Sequence, residues 1–296
     1  MNNTFVECWR RMTFRLMGDR PLKRYGDVYQ FGVFSGDSMR LIAQELCNID
    51  VRVKNFFGFD VFTGMPPEKG EELMNDDWVE GSFNILKHGK KFGIESTNID
   101  DIVKEIERGV EEVFFQNNKP CPNVKIFPGL VEETLTAEAL SKYDIMPAMY
   151  VDVDFDLYSP SKYGLEFLLK HDIIRRNTVV GYDDWGGKPG YNTFATGESR
   201  AHKEVFVDKG VSVNLALASL GYGSARTNIF NNVINTQFYL HKAAVNKPDR
   251  PDWEWGDVEC IQMVWFIDPT EDVEIMSPDC VLPRNINSLQ STDLII

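Results

Sequence analysis

Three aspartates, Asp154, Asp183 and Asp184, close two runs that read as buried strands. The first run, Ala148-Met149-Tyr150-Val151-Asp152-Val153, is largely apolar before it meets Asp154, and continues as Phe155-Asp156-Leu157-Tyr158. The second, Thr178-Val179-Val180-Gly181-Tyr182, runs straight into the acid pair. Near-continuous apolar segments of this length are the pattern of parallel strands covered on both faces. Carboxylates at the C-terminal ends of such strands lie in the crevice where open α/β sheets bind ligands. Carboxylates that converge there repel one another unless a proton or a cation intervenes. A hard divalent ion held by oxygen ligands is the simplest resolution. The competing reading is surface aspartates at helix N-termini. It loses weight because the acids end separate strands on the same sheet edge. Strand alternation points Asp152, Asp154 and Asp156 to one side, so periodicity alone does not choose the ligand.

Other elements must carry these acids. The segment 5–18 is amphipathic and helical in pattern. Strands are predicted at 28–34, 56–60, 123–127, 148–154, 178–182 and 211–217, with a seventh at 235–240. Helices are predicted at 38–47, from Thr136, at 162–170 and at 198–209. Strand and helix alternate throughout, which predicts a mostly parallel sheet with helices on both faces. A longer excursion, residues 66–122, separates the second strand from the third, and Ile99 to Ile106 within it has helical spacing. Excursions of this kind often carry lids or substrate contacts. After Asn246-Lys247-Pro248-Asp249-Arg250-Pro251, which reads as a linker, comes Ile261-Gln262-Met263-Val264-Trp265-Phe266-Ile267. That run is too apolar to be left in water and must pack on the domain or on another subunit, so self-association of the tail is an expectation.

Two further features sit on the same edge. Phe31-Gly32-Val33-Phe34-Ser35-Gly36-Asp37-Ser38 forms a strand-to-helix turn. Glycine there permits close approach of backbone to a ligand, and the helix start offers free N–H groups. Asp60, ending the second strand, is placed to accept hydrogen bonds from ribose hydroxyls. An ordinary tight turn and a loop-capping acid are the bland alternatives. The order strand, glycine turn, helix, strand, acid favours a nucleoside-type cofactor. The histidines His88, His171, His202 and His241 show no paired spacing and read as core or solvent residues.

Bulk composition narrows the field. The 296 residues are 43% hydrophobic and 12% aromatic, enough for a large core. The net charge of −14 argues against nucleic acid and against anionic membrane surfaces as partners. Five scattered cysteines without zinc spacing read as free thiols in a reducing compartment. The start has no signal-peptide core and no stretch approaches the ~20 apolar residues of a membrane span, so a soluble, cytoplasmic protein is expected.

The ordered series of blocks resembles the macrocin O-methyltransferase type of class I, S-adenosylmethionine-dependent methyltransferase. It is carried by Gln30 to Ser38, Gly58-Phe59-Asp60-Val61-Phe62-Thr63-Gly64-Met65-Pro66, Gly81-Ser82-Phe83, Asn123 to Gly129 with Glu133-Thr134-Leu135, Asp154-Phe155-Asp156-Leu157-Tyr158-Ser159-Pro160-Ser161-Lys162, Tyr182-Asp183-Asp184-Trp185, and Gly197-Glu198 with Ala201-His202-Lys203-Glu204. The resemblance covers about 27–243. It implies a Rossmann-like α/β fold whose seven-stranded sheet has six parallel strands and a last antiparallel one. It implies that S-adenosylmethionine binds along Phe31, Gly32, Ser35, Gly36 and Ser38, with Asp60 on the ribose. It implies Mg²⁺ or another divalent cation on Asp154, Asp183 and Asp184, and a hydroxyl of a small molecule or sugar as methyl acceptor. Asp154 and Asp156 are the catalytic candidates, Asp156 as a nearby base or as a partner of the ligands. Gln30 stands where many members have Glu. The expected organisation is a methyltransferase domain over 1–243, with 84–122 as a helical insertion and candidate lid, and an extension over 244–296. An N-methyltransferase on the same fold, a dinucleotide-binding oxidoreductase and a non-catalytic assembly subunit are the alternatives.

Overall fold

A computed structural model describes residues 8–18, 25–49, 51–68, 78–186, 196–222, 258–267, 276–277 and 280–281. Its strands are β1 (Tyr25–Phe31), β2 (Arg52–Asp60), β3 (Asn123–Pro128), β4 (Ala148–Val153), β5 (Val179–Gly186), β6 (Val213–Tyr222) and β7 (Val258–Ile267), with a small β8 (Met276–Ser277) and β9 (Cys280–Val281) pair. The helices are α1 (Cys8–Gly18), α2 (Asp37–Asn48), α3 (Ile85–His88), α4 (Ile99–Gln116), α5 (Val131–Thr134), α6 (Ala137–Leu140), α7 (Tyr158–Lys170) and α8 (Gly197–His202). The first seven strands form one sheet in the order β3-β2-β1-β4-β5-β7-β6. β7 is antiparallel to both neighbours, and the other six strands share one direction. This is the Rossmann-like class I methyltransferase fold.

The order reverses between β1 and β4, which lie side by side and parallel although β2, β3 and their helices separate them in the chain. Crevices at such switch points receive ligands in open α/β sheets. Both faces of the sheet are covered. On one, Trp9, Phe14 and Met17 of α1 join Met39, Ile42 and Leu46 of α2 and Ile102, Ile106 and Phe114 of α4 over Val28, Phe56 and Tyr150. On the other, Leu165 and Leu168 of α7 and Ala201 of α8 pack over Phe31, Phe59, Val151 and Tyr182. Apolar burial on both faces is why the strands read as unbroken apolar runs.

Three expectations change. The 84–122 segment is not an appendage: α4 is the crossover that parallel β2 and β3 require. Asn98 caps its start, accepting from the Asp101 N–H at 3.3 Å, and Asp100 and Asp101 sit in its first turn, where the helix dipole favours negative charge. Its stripe Ile102, Val103, Ile106, Val110 and Phe114 is wholly in the core. The apolar run near residue 261 lies inside the sheet as β7, between β5 and β6, so a boundary at 243/244 would cut the sheet. Val264, Trp265, Phe266 and Ile267 are buried within the chain itself, which removes that run as a reason for self-association. The strand predicted at 235–240 lies outside the described residues. Among the described residues no helix is long and apolar enough to cross a membrane.

Candidate active site

The acid series sits where the two central strands end. β4 stops at Val153, and the Asp154 N–H donates to Phe31 O at 2.8 Å, tying the strand end to β1. The chain then turns sharply, with Asp156 at φ +62°. That left-handed residue breaks the alternation on which Asp156 was placed beside Asp152 and Asp154. Asp183 and Asp184 lie within β5, before its end at Gly186. One carboxylate oxygen each of Asp154, Asp183 and Asp184 fall within 4.8 Å of one another. The three acids predicted to converge do converge.

The structure adds partners that sequence reading passed over. Arg10 of α1 is 1% exposed and lies across the cluster. Its Nε donates to both oxygens of Asp152, at 3.0 and 3.2 Å. Its Nη2 lies 2.9 Å from Asp154 Oδ2 and its Nη1 3.9 Å from Asp183 Oδ1. The Trp9 indole N–H donates to Asp183 Oδ1 at 2.8 Å. Asp152, fully buried, also accepts from the Tyr150 hydroxyl at 2.5 Å. Glu198 of α8 is fully buried and fastens the turn after β4 to the end of β5. Its Oε1 accepts from the N–H groups of Phe155 and Asp156, at 3.1 and 3.2 Å, and its Oε2 from that of Asp184, at 3.2 Å. Gly197-Glu198 stood in the sequence series, but nothing local showed that its carboxylate faces inward.

Burial governs the electrostatics. Asp154 is pushed well above the ordinary carboxylate range, chiefly by desolvation and then by Asp183, with Arg10 pulling the other way. Asp183 is raised to about 6 by the same desolvation, opposed by Arg10. Asp156 is raised well above normal, by burial first and then by Asp184, to which its carboxyl is hydrogen-bonded. Glu198 is raised as well, by burial first. The Arg10 guanidinium thus meets Asp152, Asp154 and Asp183, and Asp156, Asp184 and Glu198 add further carboxylates to the cluster.

The glycine turn lies beside them. Gly32 has φ +86°, and a Cβ there would stand 1.9 Å from Asp154 O, so only glycine lets β1 and β4 end this close together. Gly36, at φ +76°, precedes α2 without a side-chain cap, which leaves the first-turn N–H groups of α2 open to a ligand. Gln30 Nε2 donates to Gly32 O at 2.9 Å and to Ser38 Oγ at 2.5 Å, while its Oε1 is buried without a hydrogen-bond partner. Ser35 Oγ donates to Asp37 Oδ2 at 2.8 Å. The Phe31 ring is fully buried and stacked on Phe155 at 5.1 Å, so only its backbone faces the turn. Asp60 accepts from the N–H groups of Val33 and Phe34, both at 2.7 Å, and from that of Phe62 at 2.5 Å. Three amide donors therefore take most of its roughly four acceptor positions. The loop-capping role is realised, and the ribose role would use what remains. Burial raises Asp60, and those amide bonds hold it down.

Phe34, Phe83 and Phe92 form an edge-to-face group over the turn, with Phe83 and Phe92 about half exposed. His202 is a core residue, as its lone spacing predicted. It is packed among Tyr182, Trp185, Phe206 and Trp265, with Nδ1 2.8 Å from the Tyr182 hydroxyl, and desolvation lowers it to about 3. Trp185 is buried in the same group.

The fold has solved counterparts among methyltransferases. The calicheamicin methyltransferase CalS11 matches with a TM-score of 0.51 and 17% identity over 71% of this chain and 74% of its own. The O-methyltransferase NovP aligns over 61% of this chain and 64% of its own, at 20% identity and a TM-score of 0.38. No protein-family model and no curated protein matches the chain. The likeness to CalS11 bears on the fold.

Proposed function

We propose that this protein is an S-adenosylmethionine-dependent O-methyltransferase of the macrocin O-methyltransferase type, acting with a divalent cation, Mg²⁺ or a similar ion, on a hydroxyl of a small molecule or sugar. The observation that carries the reading is the convergence of Asp154, Asp183 and Asp184 beside the Gly32 turn at the switch point. The donor set fits such an ion: all ligands are carboxylate oxygens, and the cluster holds more negative charge than Arg10 offsets. The turn fits the cofactor, because it has a backbone that a Cβ would obstruct, an uncapped helix start and the orphaned Gln30 Oε1.

S-adenosylmethionine supplies the activated methyl group, and a bound divalent cation lowers the pKa of an acceptor hydroxyl and fixes its direction. The chain's own groups do the rest. Glu198 holds the Asp156 turn against the Asp184 end of β5 through three backbone N–H groups. Asp156 stands beside Asp184, and its raised proton affinity makes its carboxylate form the stronger base toward an acceptor hydroxyl. Phe83 and Phe92 pack edge-to-face on Phe34 of the turn, an apolar wall for a ligand bound there. Alignment of acceptor and methyl group is then the main contribution of the site.

One observation favours a second reading. Arg10 already lies on Asp154, so the acids could function with this internal cation and retained protons alone. Chelation separates the two. On the main reading, Asp183→Asn with Asp184→Asn abolishes divalent-dependent turnover while thermal-shift stabilisation by S-adenosylhomocysteine persists. Undiminished activity in excess chelator would remove the metal. Stabilisation by NAD instead of S-adenosylhomocysteine would return the oxidoreductase alternative.

A further inference from the structure

The helix α1 lies before the span on which the methyltransferase resemblance rests, yet its side chains reach the centre of the acid cluster. A guanidinium buried to 1% exposure is costly unless several acceptors surround it. Asp152 supplies a full countercharge and takes both the Nε and Nη2 contacts. Arg10 nonetheless extends Nη2 to Asp154 Oδ2 at 2.9 Å, fixing one of the converging carboxylates. The preceding residue does the same for another: the Trp9 N–H holds Asp183 Oδ1 at 2.8 Å. A separate feature of β5 shows the sheet fitted to this helix. Gly181 stands where a Cβ would meet Trp9 Cζ3 at 2.7 Å, two residues before Asp183. The small residue lets the indole come close to the strand whose acid it holds.

We propose that α1 is a working part of the site: Trp9 and Arg10 are positioning residues that hold Asp183 and Asp154 in the arrangement a divalent cation needs. This rests on the reading of the cluster as a cation site. Groups that orient metal ligands typically change metal affinity by about 10- to 100-fold when altered. The two residues can be altered without changing charge. Arg10→Lys keeps the cation but loses the fork that reaches two carboxylates at once. Trp9→Phe keeps an aromatic ring and loses the donor.

The test is titration of the full-length protein with Mn²⁺, followed by the paramagnetic resonance of the free ion, beside calorimetric titration with S-adenosylhomocysteine and a thermal melt. The expected result is a loss of about tenfold or more in Mn²⁺ affinity for each variant. S-adenosylhomocysteine affinity should stay within about twofold, a split that general loosening of the fold would not produce. Should Arg10→Lys fail to fold, Trp9→Phe decides alone. Wild-type binding of Mn²⁺ with unchanged binding by the folded variants overturns this inference and leaves the cation site standing. Absence of Mn²⁺ binding in the wild type overturns both.

Discussion

Aspartates at the two ends of the same sheet meet different fates. Asp27, fully buried near the start of β1, accepts from the Asn55 N–H and Nδ2 at 3.1 and 2.8 Å and from the Met146 N–H at 2.8 Å. It is a structural clamp, and burial still raises it from 3.8 to about 6. A carboxyl whose folded pKa is raised stabilises the fold while protonated, and that stability is lost as pH rises through the folded pKa. Asp27 should therefore cost up to about 3 kcal/mol between pH 4 and pH 7. Urea unfolding of Asp27→Asn over that range should show a flatter loss of stability than the wild type. Equal slopes would show that Asp27 is not the titrating group. The sequence made Asp154, Asp183 and Asp184 conspicuous because each ends an apolar run. Arg10 carried no such mark: in an amphipathic helix one arginine looks like any other, and only docking shows which is buried.

At the scale of elements, α2 and α4 are coupled through one glycine. A Cβ on Gly36 would lie 2.3 Å from Ile106 Cγ2 of α4, and the backbone there is left-handed. Gly36 thus serves packing as well as the open helix start read from its sequence. Gly36→Ala should cost about 2–4 kcal/mol, from strain at positive φ and from overpacking. Guanidinium unfolding measures this, and trimming the neighbour in Gly36→Ala/Ile106→Ala should cost less than the sum of the single changes. Strict additivity would mean the two helices do not touch as described. The periodicity of 99–106 revealed a helix, since one apolar stripe suffices for that. It did not reveal that the stripe faces the sheet, because a lid helix carries a similar stripe.

For the whole molecule, the outcome turns on the final strand of the sheet. β7 pairs on both sides, with Val180 opposite Trp265 and Asn214 opposite Phe266. Chain truncated after residue 245 would leave β5 as an open edge and β6 without its partner. An exposed apolar edge of this kind invites aggregation. Such a protein should be largely insoluble or lose cooperative unfolding by circular dichroism, and a soluble, cooperatively folded product would show β7 to be dispensable. The apolar run 261–267 was correctly read as needing cover. Its partners lie about 50 and 80 residues earlier in the chain, beyond what local pattern can specify.

The chain's own order of residues determined the alternation of strands and helices, the glycine turn and the acids at the strand ends, because each follows from local backbone preference and the period of apolar residues. Tertiary structure alone decided that α1 lies beneath the acids, that Glu198 joins the two acid-bearing segments and that the sheet is completed from beyond residue 250. Those are contacts between distant segments, settled by how the faces of the sheet are covered and how buried charge is matched.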